Sequence, residues 1–174
     1  NLTVEANSIT VGGGTGIDVN GTVLAPLTVE SNTMTCSSST TYGILVTTGD
    51  ADFDLVGNTV TGATLGEGIV PLMPGFVRGN TTTNCKWGIS ISSIRNPTIG
   101  PELTGQAGNT ISSCTTTGLL FDSATNTSLV RKNTISSNYN GIVTKSGALP
   151  DIGTVADNGN NDLESNTNLC IWNR

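Results

Sequence analysis

The residues whose types and spacing invite chemistry are carboxylates and thiols, with no histidine among them. Asp50, Asp52 and Asp54 alternate, so in an extended segment their carboxylates share one face. Three carboxylates on one face repel unless a cation sits among them, and Ca²⁺ is the hard, oxygen-seeking cation such a set would take. The same alternation also serves as a solvated acidic edge that discourages wrong strand pairing. A second oxygen-rich stretch runs Asp157, Asn158, Gly159, Asn160, Asn161, Asp162. Gly13 to Asp18 matches part of a calcium-binding nonapeptide, in a single copy.

Four cysteines are present, Cys36, Cys85, Cys114 and Cys170. Without histidine or a Cys-x-x-Cys pair they do not form a zinc site. The lack of histidine also removes Ser-His-Asp and Cys-His catalysis. Arg78, Arg95, Arg131, Lys86, Lys132 and Lys145 fall on different turns, so no basic residue is assigned to partner the carboxylates. No catalytic residue and no cofactor is expected beyond the Ca²⁺ that the Asp cluster would hold. An enzyme using carboxylates alone stays open.

Composition narrows the partners. Seven basic residues against thirteen acidic ones leave a net charge of −6, which argues against nucleic acid and against anionic membrane surfaces. No apolar run approaches the roughly 20 residues that span a bilayer. Charged residues are only 11%, yet hydrophobic residues reach 35%, so the chain is not of disordered type. Few lysines and many Ser, Thr and Asn fit an extracellular or cell-surface protein.

These side chains must be positioned by a repeat. Asn-Thr-apolar-Ser/Thr recurs at Asn7, Asn32, Asn58, Asn80, Asn109, Asn133 and either Asn160 or Asn161. A Gly-Ile or Gly-Leu mark follows at Gly16, Gly43, Gly68, Gly88, Gly118 and Gly141, and an apolar residue precedes most of the Asn positions. Each period holds three short segments of period two, separated by turn residues. A segment of three to five residues cannot bury a face alone. Stacking like coils about 4.8 Å apart buries a continuous aliphatic column. The reading is an all-β, single-stranded, right-handed parallel β-helix: about seven coils of roughly 25 residues, three strands per coil, one domain over 1–174. Each Asn is expected at a corner, in the left-handed backbone region, with its amide hydrogen-bonded along the column. Cys85 and Cys114 both sit five residues after their Asn in adjacent coils, which makes them a disulfide candidate. Cys36 and Cys170 lie several coils apart, too far to pair within one chain, and are expected as free, buried thiols.

The Asn-Thr-Ile-Ser…Gly-Ile rhythm resembles the pectate-lyase-like right-handed β-helix superfamily. Asn96 to Gly100, followed by Ala107 to Ser112, is similar to an Ile-Gly…Ala-Gly-Asn-x-Ile-Ser repeat of large bacterial surface β-helix proteins, and Pro150 to Gly153 echoes it. The resemblance implies a fold. It leaves function open, because the superfamily holds lyases, hydrolases, adhesins and scaffolds.

The chain starts and stops in mid-coil. Leu2-Thr3-Val4-Glu5 matches the third strand of the next coil, Leu27-Thr28-Val29-Glu30, and Leu169-Cys170-Ile171-Trp172 is the second strand of a coil. No cap is obvious at either end. A head-to-tail neighbour would complete the coil through Leu2, Val4, Leu169, Ile171 and Trp172; trimming from a longer solenoid would explain the ends equally. Outward surfaces add three features. Thr33, Thr59, Thr81, Thr110 and Thr134 form one hydroxyl column, beside Thr10, Thr35, Thr61, Thr83, Ser112 and Ser136 in another; such an array orders water in some ice-binding solenoids. Leu45, Val70, Leu120 and Val143 form an outward apolar row, fit for an interface or for a loop to cover. Asn1, Asn20, Asn80 and Asn126 open N-glycosylation sequons. The expected function is a non-catalytic extracellular structural or adhesive solenoid, with copies of itself as partner and a head-to-tail filament as one form. The alternatives are a β-helix that binds or cleaves extracellular polysaccharide or matrix, and an ice-binding Thr array.

Overall fold

The computed structural model describes residues 2–21, 26–47, 53–93 and 95–174. Strands come in threes. The first coil holds β1 (Leu2–Glu5), β2 (Ser8–Val11) and β3 (Gly14–Val19), and the second β4 (Leu27–Glu30), β5 (Thr33–Cys36) and β6 (Thr40–Val46). Next come β7 (Phe53–Val56), β8 (Thr59–Thr61) and β9 (Glu67–Pro71), then β10 (Gly75–Arg78), β11 (Thr81–Thr83) and β12 (Trp87–Ile91). The later coils carry β13 (Thr98–Ile99), β14 (Thr110–Ser112) and β15 (Thr117–Asp122), then β16 (Thr134–Ser136) and β17 (Asn140–Lys145), then β18 (Leu169–Asn173).

Every third strand pairs in parallel with its counterpart one coil away. The result is three sheets: β1-β4-β7-β10-β13, β2-β5-β8-β11-β14-β16 and β3-β6-β9-β12-β15-β17-β18. Isolated bridges from Ile99 to Val130 and Leu129 to Asp151 continue the first sheet, and one from Thr134 to Asp162 continues the second. The fold is a three-sheet parallel β-solenoid of about six turns.

Register follows side-chain alternation, because a slip of one residue would turn every core residue outward. Ile17, Ile44, Ile69, Ile89, Leu119, Ile142 and Ile171 stand in one file across the third sheet. Met34, Val60, Ile111 and Ile135 line the second sheet, and Val29, Leu55, Val77, Ile99 and Val130 the first; all are fully buried in one cluster. Glycine before the Ile file has a steric cause. A Cβ on Gly43 would lie 2.3 Å from Val60 Cγ1 and 2.6 Å from the Gly68 carbonyl oxygen. The chain turns so tightly there that only a hydrogen fits.

Candidate functional site

The corner between the first and second sheets is the most regular polar structure in the molecule. Asn7, Asn32, Asn58, Asn80, Asn109, Asn133 and Asn161 occupy it in successive coils, which settles the last position on Asn161. From Asn32 onward, each Asn Oδ1 accepts the backbone N–H and the side-chain amide of the Asn one coil before. Asn32 donates to Asn58 at 3.1 and 3.0 Å, Asn58 to Asn80 at 2.9 and 3.0 Å, and Asn133 to Asn161 at 3.0 and 3.0 Å. The same amide also donates to strand carbonyls, as Asn32 Nδ2 does to Val4 and Glu30. From Asn32 to Asn133 these residues are at most 1% exposed. Their polar atoms are desolvated and paired, the condition under which buried amides stabilise a fold.

One expectation about this corner is corrected. The left-handed residue is the one before the Asn: Ala6 (φ 53°), Ser31 (φ 55°), Gly57 (φ 62°), Gly79 (φ 63°), Lys132 (φ 55°) and Asn160 (φ 50°). That kink swings the following amide inward, so the Asn itself needs no strained backbone.

A second ladder was missed in the residue pattern. Asn166 Oδ1 accepts the N–H of Asn138 at 3.1 Å and its amide at 3.1 Å, and Asn138 Oδ1 accepts the N–H of Cys114 at 2.9 Å. Again a left-handed residue precedes each rung: Asn84, Ser113, Ser137 and Ser165. The signal was available, because Asn138 follows Asn133 by five residues, the offset that Cys85 and Cys114 share with their own Asn. Cys85 and Cys114 thus replace Asn on this corner. They are buried free thiols, not a disulfide, and each Sγ faces the carbonyl two residues back, at 3.5 and 3.6 Å. Burial pushes both up to about 12. Cys36 is free and buried as expected, and burial also pushes its thiol up; Cys170 is free but exposed, not buried, because it stands on the outermost described strand of its sheet.

Asp50 and Asp52 lie outside the described residues, and Asp54 is held by the Arg78 guanidinium, Nε donating to Oδ1 at 3.0 Å. Its charge is met by the Arg78 guanidinium. Arg131, assigned no carboxylate partner from the sequence, joins two, with Asp151 and Asp157 each 2.8 Å from its Nη2. Its hydrogen bond holds the Asp151 carboxyl below the usual range. Gly14–Val19 is strand β3, with Asp18 exposed on it. Among the described residues no three His, Cys, Asp or Glu gather as a metal set.

The outward faces differ from one another. On the second sheet the two hydroxyl columns stand in register across six strands, Ser8 to Thr134 and Thr10 to Ser136. On the third sheet, the apolar row is not open surface. Val70, Leu120 and Val143 are only 3, 5 and 2% exposed, and they stand outside the core cluster; Leu45 is half-buried. Beside that row, Tyr42, Glu67 and Trp87 align on neighbouring strands, a set the residue pattern did not reveal. Burial pushes the Glu67 carboxyl up, against a hydrogen bond with Ser90 and the charge of Lys86. Lys86 Nζ lies 4.1 Å above the Trp87 ring, and Trp87 Nε1 is buried without an acceptor.

Two sequons are closed by burial. Asn80 belongs to the ladder, and Asn126 is fully buried, donating to the Arg95 carbonyl at 3.1 Å. Asn20 is exposed.

The residues expected to take part in self-association are all at least partly exposed. Leu2, Leu169 and Ile171 are 44, 39 and 50% exposed, and Val4 and Trp172 are half-buried. Arg174 stacks 4.0 Å from the Trp172 ring. A cavity of about 130 Å³ opens beside Ala148, Leu149, Pro150, Ile152 and Ile171. Among the described residues, no helix is long and apolar enough to cross a membrane.

No curated protein and no solved structure matches the chain. One family does, described as "Protein of unknown function (DUF1565)", and its match runs over residues 1–174. With the whole length matched, the chain belongs to the DUF1565 family.

Proposed function

We propose that this protein is a non-catalytic structural or adhesive solenoid of an extracellular or cell-surface setting, able to stack head to tail into rods. The observation that carries the reading is the unbroken Asn ladder: seven corner amides linked in one direction along the whole axis. A core column and a polar column that run together make a stiff element whose load is shared by every coil. The few lysines and the Ser/Thr-rich outer face support the extracellular placement. Negative-stain electron microscopy and sedimentation velocity over a wide concentration range test it. Rods that lengthen with concentration are expected; monomers alone at the highest concentration would count against assembly.

A second reading, contact with extracellular polysaccharide, is favoured by the Tyr42-Glu67-Trp87 file, which aligns two partly exposed aromatic residues with a partly exposed carboxyl group. A glycan array with wild type and Trp87→Ala separates the two readings. Binding lost in the variant supports contact with sugar, and release of oligosaccharides would further make it cleavage. The in-register hydroxyl columns bear on ice binding, for which thermal hysteresis is the measurement.

A further inference from the structure

Partly exposed aromatic residues recur at every second coil along one edge of the third sheet. Tyr42 on β6 aligns with Glu67 on β9, and Glu67 with Trp87 on β12, so the two aromatic residues stand two coils apart with a carboxyl group between them. Both rings are partly exposed. Two coils further on, the same file runs through Thr117 to Asn140. These two residues are buried, and the residue before Asn140, Tyr139, reaches the surface in their place, 51% exposed. Strands β6, β12 and β17 each have a neighbouring strand on both sides.

The period selects a ligand. Neighbouring strands stand about 4.8 Å apart, so each aromatic residue is separated from the next by about 10 Å of axis. In a β-1,4-linked pyranose chain each sugar is about 5 Å long and is turned by about half a turn from the one before, so like faces recur in step with two coils. The flat C–H face of a β-pyranose stacks on an aromatic ring, whose face is negative. An α-1,4-linked chain curls and does not return the same face at that interval. Charge narrows the class further. Lys86 Nζ lies 4.1 Å from the centre of the Trp87 ring, and its charge acts on Glu67, so the ammonium and the carboxyl group offset each other. On a chain of net charge −6 such a stripe disfavours a polyanion, whereas both groups hydrogen-bond to sugar hydroxyls.

We propose that this stripe binds an uncharged β-1,4-linked glycan laid along the solenoid axis, with Tyr42, Trp87 and Tyr139 beneath its first, third and fifth sugars and Glu67 beside the second. The inference rests on the polysaccharide reading given above and names the class of chain and its direction.

Calorimetric titration of the full chain tests it. The ligands are cellopentaose, xylopentaose, mannopentaose and chitopentaose with their trisaccharides; maltopentaose and a galacturonic acid pentamer are the α-linked and acidic comparisons. At least one β-1,4 pentasaccharide should bind about tenfold more tightly than its trisaccharide and than either comparison. Tyr139→Ala should abolish the gain from three sugars to five and leave trisaccharide binding within about twofold, whereas Trp87→Ala should weaken both by at least about tenfold. Circular dichroism and thermal melting verify folding, and Tyr139, at the surface, decides the matter should Trp87→Ala not fold. Tighter binding of maltopentaose or the galacturonic acid pentamer, lost in Trp87→Ala or Tyr139→Ala, would overturn the β-1,4 assignment and leave sugar contact standing. A pentasaccharide no tighter than its trisaccharide, or indifferent to Tyr139→Ala, would overturn the two-coil period. Binding of none of these sugars would overturn both readings.

Discussion

Asn58 Oδ1 lies 3.1 Å from the backbone nitrogen of Asn32 and 3.0 Å from its side-chain nitrogen, so one oxygen closes two hydrogen bonds between neighbouring coils. Both residues are fully buried. Removing the amide leaves the Asn32 backbone N–H without its acceptor, away from water, and takes one donor from the Val29 carbonyl and one from Asn80 Oδ1. Asn58→Ala should cost about 3 kcal/mol, from roughly 1–3 kcal/mol per orphaned group with partial relaxation. Asn7→Ala, at the solvated first rung, should cost under about 1 kcal/mol. Urea unfolding of both variants is the check; equal costs would mean that burial does not set the ladder's value.

Thr82 provides the opposite case. It takes the inward position that Met34, Val60, Ile111 and Ile135 fill in other coils, and its Oγ1 is buried with no partner. Thr82→Val replaces that hydroxyl with a methyl of like shape. Stability should rise by about 1 kcal/mol, the central cost of an unsatisfied hydroxyl in protein interiors. A loss of stability in denaturant titration would show that the hydroxyl has a use.

Thiol chemistry should divide by position. Thiolate, not thiol, attacks a disulfide reagent, and burial holds Cys85 and Cys114 at about 12 and raises Cys36. At neutral pH and low protein concentration a chromogenic disulfide reagent should titrate one thiol per folded chain, the exposed Cys170. In denaturant it should titrate four. More than one fast equivalent in the folded protein would contradict the buried placement.

Glu67 predicts a pH trend. Its folded carboxyl is raised, chiefly by burial, so the folded state holds the proton more tightly than the unfolded chain. Its stabilising contribution is complete below the unfolded pKa and is lost as pH rises through the folded one. Asp151 is lowered by Arg131, so its contribution has the reverse sign and is lost on acidification through the folded pKa. Glu67→Gln should raise the melting temperature at neutral pH relative to wild type and narrow the gap in mild acid. A constant gap across pH would rule out Glu67 as the source.

The repeat itself determined the solenoid, its three sheets and its core files. Short segments of alternating residues at near-constant spacing can bury their apolar faces only by stacking, and Ile44, Ile89, Leu119 and Ile142 do lie in one file. The first Asn ladder was legible for the same reason. Tertiary structure alone decided what depends on distance and access. It put the left-handed kink on Ala6 and Ser31 and not on the Asn, since a corner's geometry belongs to the whole turn. It paired Asp54 with Arg78 because parallel register sets β7 beside β10. It buried Val70, Leu120 and Val143, which alternation alone had marked as outward. It aligned Tyr42, Glu67 and Trp87 from three coils with no motif in common. Periodicity specifies which residues stack; which of them meet, and which meet water, is settled only when the coils close on one another.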